Sequence, residues 1–323
     1  MRLGSGSVHE NRRQLSNLHQ GASQSLDLQH DVVYPLTKPS ELQLNNAKTQ
    51  GLIHVRGGSL SMGSTAFYIE ESPTVVVKVD DVLIQSRLVT NAEFKDFVAD
   101  SGYVTTAERK DREGSVVFIG TEGPVPLNDW RKWWAWIPGA NWCHPHGPES
   151  NLDQRLDHPV VHVSLHDARA YANWAGLALP HEPEWEWCAR GGLDGATYTW
   201  GEQPNQGDTL FANTWQGDFP FNNQGAHGWK GTSPVGCFPA NGYGLFDMAG
   251  NVWEWTESAW QDHPGVHCCC SGSEAGGDLK IIKGGSHLCS PQYCLRFRPA
   301  ARSPQEASES TSHLGFRCIS RNC

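Results

Sequence analysis

The chain lacks any run of apolar residues near the roughly 18 that span a bilayer as a helix, which excludes a helical membrane protein. Met1 to Gln20 hold no apolar core behind a basic start, so no secretory leader is expected. Basic residues are in deficit: 25 Lys and Arg stand against 35 Asp and Glu, a formal net charge of −10. That balance argues against nucleic-acid binding. Cysteine is sparse and uneven, ten in 323 residues, too few for a disulfide scaffold. The expectation is a reducing, cytoplasmic setting. No repeat of fixed period occurs. No Cys-x-x-Cys stands beside a βαβ pattern, which sets aside a thioredoxin-type oxidoreductase.

What is plentiful is Gly and Pro, 34 and 19 residues, above the usual combined share of about 12 %. They predict much irregular structure. Fourteen tryptophans can anchor a core without many regular elements, since each buries a large area. Residues 1–50 are polar and rich in Gln, Asn, Ser and His, and read as a disordered or wrapping arm. Residues 51–323 read as the ordered domain.

Leu52 to Arg56, Gly57-Gly58 and Ser59 to Gly63 predict strand, tight turn, strand. Val75–Val79 and Val82–Ile84 predict further strands. Thr90-Asn91-Ala92-Glu93 is a capping box, followed by Phe94, Phe97 and Val98 on one face and Gly102 as the stop. Val116 to Ile119 precede a tryptophan-dense loop holding Trp130, Trp133, Trp134, Trp136 and Trp142. These rings predict core, with a peptide-binding wall as the sharper alternative. Val160–Val163 predicts a short buried strand. Ser164 caps a helix from Leu165 to Ala175, with Asp167 at the capping-box position and Gly176 at its end. Pro180 to Glu184 open a third helix that carries Trp185 and Trp187 and ends at Gly191-Gly192.

Two stretches carry chemistry. In Asn241 to Trp255, Asp247 and Glu254 offer carboxylates and the Gly250-Asn251 turn offers carbonyls, an oxygen-rich set of the kind that suits calcium, although the spacing matches no EF-hand. A hydrogen-bonded turn without an ion is the plain alternative. In Gly284 to Cys294, a Gly-Gly-Ser turn leads into Cys289 and Cys294, five positions apart, with Pro291 between them and Arg296, Arg298 and Arg302 after them. Pro291 disfavours a continuous helix, so the pair is expected on a loop. Such a pair can form a disulfide, bind a soft metal, or act as attacking and resolving thiols. Spacing alone does not choose among these. The adjacent Cys268, Cys269 and Cys270 are poorly placed to hold one tetrahedral zinc and read as a mobile, redox-active loop that carries little weight.

Across residues 51 to 320 a series of motifs occurs in order. They are Gly57 to Gly63, Gly139-Ala140-Asn141-Trp142, His158 to Ser164, Glu184-Trp185-Glu186, Asn241 to Leu245, Gly250 to Trp255, Gly284 to Cys294, and Leu314 to Cys318. The series resembles the formylglycine-generating enzymes, or sulfatase-modifying factors. The resemblance implies a compact, irregular α+β fold with little regular secondary structure, distantly akin to C-type lectins. It implies oxidation by O2 of a cysteine, in an unfolded sulfatase-type Cys-x-Pro-x-Arg segment, to formylglycine, with a thiol reductant. By resemblance Cys289 and Cys294 hold Cu(I), which agrees with the preference of soft thiolates for that ion. The substrate cysteine would join as a third thiolate. Ser286 and Trp253 match the lining of the oxygen pocket, Ser286 as a hydrogen-bonding group and Trp253 as a shaping wall, with Tyr293 adjacent. Asp247, Gly250, Val252 and Glu254 match one calcium site of the family. Asn213, Thr214 and Trp229 match a second, whose carboxylate position is His227 here. Of the family's four secretory disulfide positions, three are Ala172, Ala189 and Pro299 in this chain, leaving Cys318 without its partner.

Two other functions remain open on the sequence. The first is a lectin-like binding or scaffold module that has kept the fold and lost the chemistry. The second is an iron-dependent sulfoxide synthase of the same superfamily, against which stands the absence of a His-x3-His-x-Glu motif.

Overall fold

The computed structural model describes residues 51–204, 208–261 and 278–321; the arm assigned to 1–50 and the Cys268–Cys270 run lie outside them. The described residues hold three α-helices and eleven short strands in four small sheets, joined by long irregular segments. This is the expected α+β fold with little regular structure. No helix among the described residues is long and apolar enough to cross a membrane.

Strands β1 (Leu52–Val55), β4 (Val82–Gln85) and β11 (Ile319–Ser320) form an antiparallel sheet with β4 in the centre. Strands β2 (Gly58–Met62) and β3 (Val75–Val79) form a separate hairpin. The two strands expected around Gly57 are therefore present but not paired with each other. Gly57 explains the split: its N–H donates to Asp81 Oδ1 at 2.9 Å, and a Cβ there would meet Val79 O at 2.3 Å. The chain bends at this close approach and enters a second sheet.

The helices form where local signals put them. In α1 (Asn91–Ser101), Thr90 Oγ1 accepts the Glu93 N–H at 3.2 Å and Glu93 Oε2 accepts the Thr90 N–H at 2.7 Å; Gly102 closes the helix at φ 67°. In α2 (Leu165–Ala175), Ser164 and Asp167 repeat the box and Gly176 ends it at φ 72°. In α3 (Glu182–Arg190), Glu184 accepts the His181 N–H at 2.6 Å and Gly191 ends it at φ 58°. Phe94 and Phe97 of α1 meet Tyr171 of α2, Trp142 and Phe316 in the largest apolar cluster, which also takes in Trp253 and Trp255.

The remaining strands frame the site. Strands β5 (Gly114–Phe118) and β6 (Trp134–Pro138) pair as a hairpin. Two of the five tryptophans of the expected loop, Trp134 and Trp136, are thus in a strand. The aromatics divide: Trp133 and Trp142 are buried, while Trp130 and Trp136 are exposed. The four-stranded sheet runs β10 (Leu314–Gly315), β7 (Trp253–Ala259), β8 (Leu279–Lys283), β9 (Ser303–Glu306). Val160–Val163 is buried as expected but is not a strand. His162 sits at φ 59°, which breaks the extended path, and its ring is fixed by Ser115 Oγ and the Pro145 carbonyl, each at 2.8 Å.

Candidate active site

Strand β8 delivers the cysteine loop. Its last residue, Lys283, is fully buried, with Nζ 3.0 Å from Glu186 and 3.4 Å from Glu182 of α3. Gly284 and Gly285 follow at φ 89° and 68°. A Cβ on Gly285 would lie 2.9 Å from the Arg296 and Phe297 backbone, so only glycine fits this close approach. The Gly250 N–H donates to Gly284 O at 2.8 Å, and the His287 N–H to Asn251 O at 2.9 Å, which ties the loop to the Gly250-Asn251 turn.

Ser290 to Tyr293 make a tight turn with Pro291 in second place, the position its fixed φ favours, and the Cys294 N–H closes on Ser290 O at 2.6 Å. The turn folds Cys294 back on Cys289. Their sulfurs lie 3.3 Å apart, well beyond a disulfide bond of about 2.05 Å, and both residues are free thiols. Cys289 is buried and Cys294 half-buried. The Ser286 N–H donates to Cys289 Sγ at 3.4 Å. The two thiols titrate as a pair. The hydrogen bond from Cys289, and then Arg296 nearby, lower Cys294 to about 7; burial pushes Cys289 well above the ordinary thiol value. The pair therefore favours one proton held on Cys289 and a thiolate at Cys294.

The three arginines after the pair are all bound. Arg296 donates to Glu70 Oε1 through Nε and an Nη at 3.2 and 2.6 Å, and lies over the Tyr68 ring at 4.0 Å. Arg298, 1 % exposed, makes a two-point pair with the Glu71 carboxylate and lies 3.7 Å over Phe67. Arg302 donates to Glu182 at 2.8 Å. The segment Phe67–Glu71 is thereby clamped across the exit of the cysteine loop, and Leu295 N–H donates to Tyr68 Oη at 3.0 Å.

Both cysteines line a cleft of about 950 Å³. Of the expected site residues, it gathers Cys289, Cys294, Ser286, Trp253 and Tyr293. Trp130, Trp133, Trp134 and Leu288 give it an apolar wall. Tyr293 stacks on Phe219 at 4.7 Å. His313 also lines the cleft and is not singled out by the sequence; its Nδ1 lies 3.0 Å from Ser286 Oγ. The one sequence signal is its position immediately before Leu314 to Cys318.

The oxygen-rich residues lie elsewhere and divide in two. Asp247 is buried; it accepts the Gly236 N–H at 2.7 Å, and burial raises it to about 6. Both Glu254 oxygens accept from protein donors, Arg317 at 2.7 and 2.9 Å and Trp185 at 2.9 Å. Three of the four lone-pair positions of that carboxylate are thus taken, and one on Oε1 is left. Gly250 and Val252 lie in and after the turn between these carboxylates. In the second set, Asn213 Nδ2 donates to Gly231 O, while Asn213 Oδ1 is buried with no partner among the described residues. That orphaned oxygen fits a cation. Thr214 follows it in the chain, and His227 and Trp229 lie in the neighbouring 226–229 turn. Among the described residues no group of three or more His, Cys, Asp or Glu side chains could hold a metal unaided. For copper, the chemistry of the donor set fits: two soft sulfurs converge at a cleft wall and leave a third position to an incoming group.

Residues 38–322 match the family described as sulfatase-modifying factor enzyme 1-like domain. A Mycobacterium tuberculosis protein named formylglycine-generating enzyme is 51 % identical over 290 residues, 83 % of this chain and 97 % of that protein. A mouse protein named inactive C-alpha-formylglycine-generating enzyme 2 is 38 % identical over 291 residues, 86 % of this chain and 88 % of that protein. Among solved structures, PvdO from Pseudomonas aeruginosa matches with a TM-score of 0.55 at 22 % identity, covering 83 % of this chain and 93 % of PvdO. At that identity the match speaks for the fold alone.

Proposed function

The chain belongs to the sulfatase-modifying factor enzyme family, and on that premise we propose that it oxidises a cysteine of an unfolded sulfatase-type segment to formylglycine. One observation carries the reading: two free thiols, 3.3 Å apart, in the wall of a cleft large enough for an extended peptide. The balanced reaction consumes O2 and two equivalents of a thiol reductant. Each substrate thiol, with one O2 and two reductant thiols, gives one aldehyde, one hydrogen sulfide, one water and one reductant disulfide. The substrate C–S bond breaks, a carbon–oxygen double bond forms, and O2 is reduced by four electrons, two from the substrate and two from the thiols.

A Cu(I) ion held by Cys289 and Cys294 would supply a soft site for the substrate thiolate and the electrons that begin O2 reduction. The protein groups do the rest. Cys294, lowered to about 7, offers a thiolate near neutral pH, and the Ser286 N–H supports the second sulfur. Trp133, Trp134 and Leu288 keep water from the reacting carbon, the exposed Trp130 seats the peptide, and Trp253 closes the wall beside Ser286. The Ser286 hydroxyl supplies a hydrogen bond to an atom that gains negative charge. The clamp of Phe67–Glu71 on Arg296 and Arg298 holds the loop to one geometry.

The free state of all six described cysteines supports a reducing, cytoplasmic setting. For calcium, the orphaned Asn213 Oδ1 supports one ion at the Asn213, Thr214 and Trp229 set, with His227 standing where a carboxylate would otherwise neutralise it.

The test is a Leu-Cys-Thr-Pro-Ser-Arg peptide incubated in air with the protein, Cu(I) and dithiothreitol. Copper-dependent aldehyde that disappears in Cys289→Ser and Cys294→Ser is the expected result. Intact peptide throughout would reject the oxidase reading and favour a binding module of the same fold.

A further inference from the structure

His313 stands in the cleft beside Ser286, held on three sides. The Trp253 N–H donates to the His313 carbonyl at 2.8 Å, and Leu314 pairs with Trp253 in the β10–β7 ladder. The ring meets Trp134 edge to face at 4.8 Å between centroids. Nδ1 lies 3.0 Å from Ser286 Oγ, and among the described residues no protein group bonds Nε2. The imidazole is therefore fixed in one orientation, with one nitrogen committed to the serine.

A serine hydroxyl has one hydrogen and two lone pairs. The Leu288 N–H fills one lone pair of Ser286 at 3.2 Å. Two arrangements of the remaining bond exist. If the hydroxyl donates to Nδ1, its only hydrogen is spent and it can give nothing to the cleft. If Nδ1–H donates to the hydroxyl, both lone pairs are filled. The hydrogen is then free for a third partner, and Ser286, itself buried, is among the residues that line the cleft. A thiolate, or an oxygen gaining negative charge, can only accept.

We propose that His313 is a positioning residue that carries its proton on Nδ1, donates to Ser286, and so aims the Ser286 hydroxyl into the cleft as a hydrogen-bond donor. Its consequence for rate rests on the oxidase reading, whereas the tautomer is a property of the protein by itself. Burial, with the buried His287 and His162 nearby, holds the ring uncharged, which is the state in which the choice of tautomer exists.

The test has two arms. Long-range proton–nitrogen NMR of the full chain labelled with 15N-histidine reads the tautomer, and His313→Asn assigns the signal. Protonated Nδ1 is expected; protonated Nε2 overturns the proposal. The second arm compares three variants on the peptide. In His313→Asn an amide N–H can replace Nδ1–H. His313→Asp has the same shape and only accepts when ionised, and His313→Phe removes the bond. We expect kcat to fall about 10²-fold in the Asp and Phe variants with KM kept, the usual effect of losing one such donor, and His313→Asn to stay within about tenfold of the starting protein. Thermal unfolding checks that each variant folds. Equal rates in the Asn and Asp variants, or an undiminished His313→Phe, would overturn the donor role. If the unaltered protein leaves the peptide intact, the oxidase reading fails, and the tautomer still decides the assignment.

Discussion

Glu71→Gln and Arg298→Met should each strongly destabilise the fold, while the double variant recovers much of the loss. The two side chains are 0 % and 1 % exposed and form a two-point ion pair, with an Arg298 Nη 2.9 Å from Glu71 Oε2. Arg298 Nε also donates to the Leu295 carbonyl at 2.8 Å, and the guanidinium lies over Phe67. Removing either partner leaves a charge in the interior with nothing to offset it, which costs roughly 3–5 kcal/mol. Against a total stability of about 5–15 kcal/mol this is a large share. It corresponds to a fall in Tm of roughly 10 °C for a domain of this size. Removing both charges deletes the desolvation cost along with the attraction, so the double variant should lie well above the sum of the singles. The assay is guanidinium unfolding of all four proteins, read as midpoints at constant slope and combined as a double-mutant cycle. Single losses under about 1 kcal/mol, or a coupling near zero, would show that the pair is not the clamp on the cysteine loop that its geometry implies.

Four further outcomes follow from the same structure. Alkylation by iodoacetamide should modify Cys294 before Cys289, with a rate that rises around pH 7; modification of Cys289 first would contradict the assigned proton distribution. Because the folded value of Cys294, about 7, lies below its ordinary 9, that thiolate adds stability fully present above pH 9 and lost as pH falls through 7. Denaturation midpoints at either end of that range, compared with Cys294→Ala, would read it. Gly285→Ala should destabilise by more than about 1 kcal/mol and slow peptide oxidation, since its Cβ would lie 2.9 Å from the backbone after Cys294; unchanged activity and Tm would refute the close approach. Calcium added back to chelator-treated protein should raise Tm, and Asn213→Ala should remove the rise; a flat response in the unaltered protein rejects an ion at that set.

The parts of the fold that are legible in the sequence are those set by neighbours in the chain. The capping boxes at Thr90–Glu93 and Ser164–Asp167 and the closing glycines 102, 176 and 191 are local chemistry, and each forms as read. Val160–Val163 reads wrongly as a strand because four apolar-rich residues satisfy the strand pattern, while the left-handed His162 is imposed by Ser115 and Pro145, far away in the chain. The site follows the same division. The two cysteines, the Gly-Gly-Ser turn and Pro291 stand within one short stretch, so their convergence can be anticipated. The partners of Arg296 and Arg298 are Glu70 and Glu71, 226 and 227 positions earlier, and no local pattern announces them. His313 reaches Ser286 across 27 positions for the same reason. The sequence likewise does not show that Arg317 and Trp185 already donate to Glu254.

The measurement closest to the central claim is the stoichiometry of a single reaction mixture. Aldehyde, sulfide and O2 uptake would be followed together with the peptide, Cu(I), dithiothreitol and the protein. The oxidase reaction predicts one aldehyde and one sulfide for each O2 consumed beyond the uptake of copper and dithiothreitol without peptide, and this peptide-dependent turnover is lost in Cys289→Ser. Thiol–disulfide exchange without aldehyde, or sulfide release that continues in the absence of O2, would contradict it.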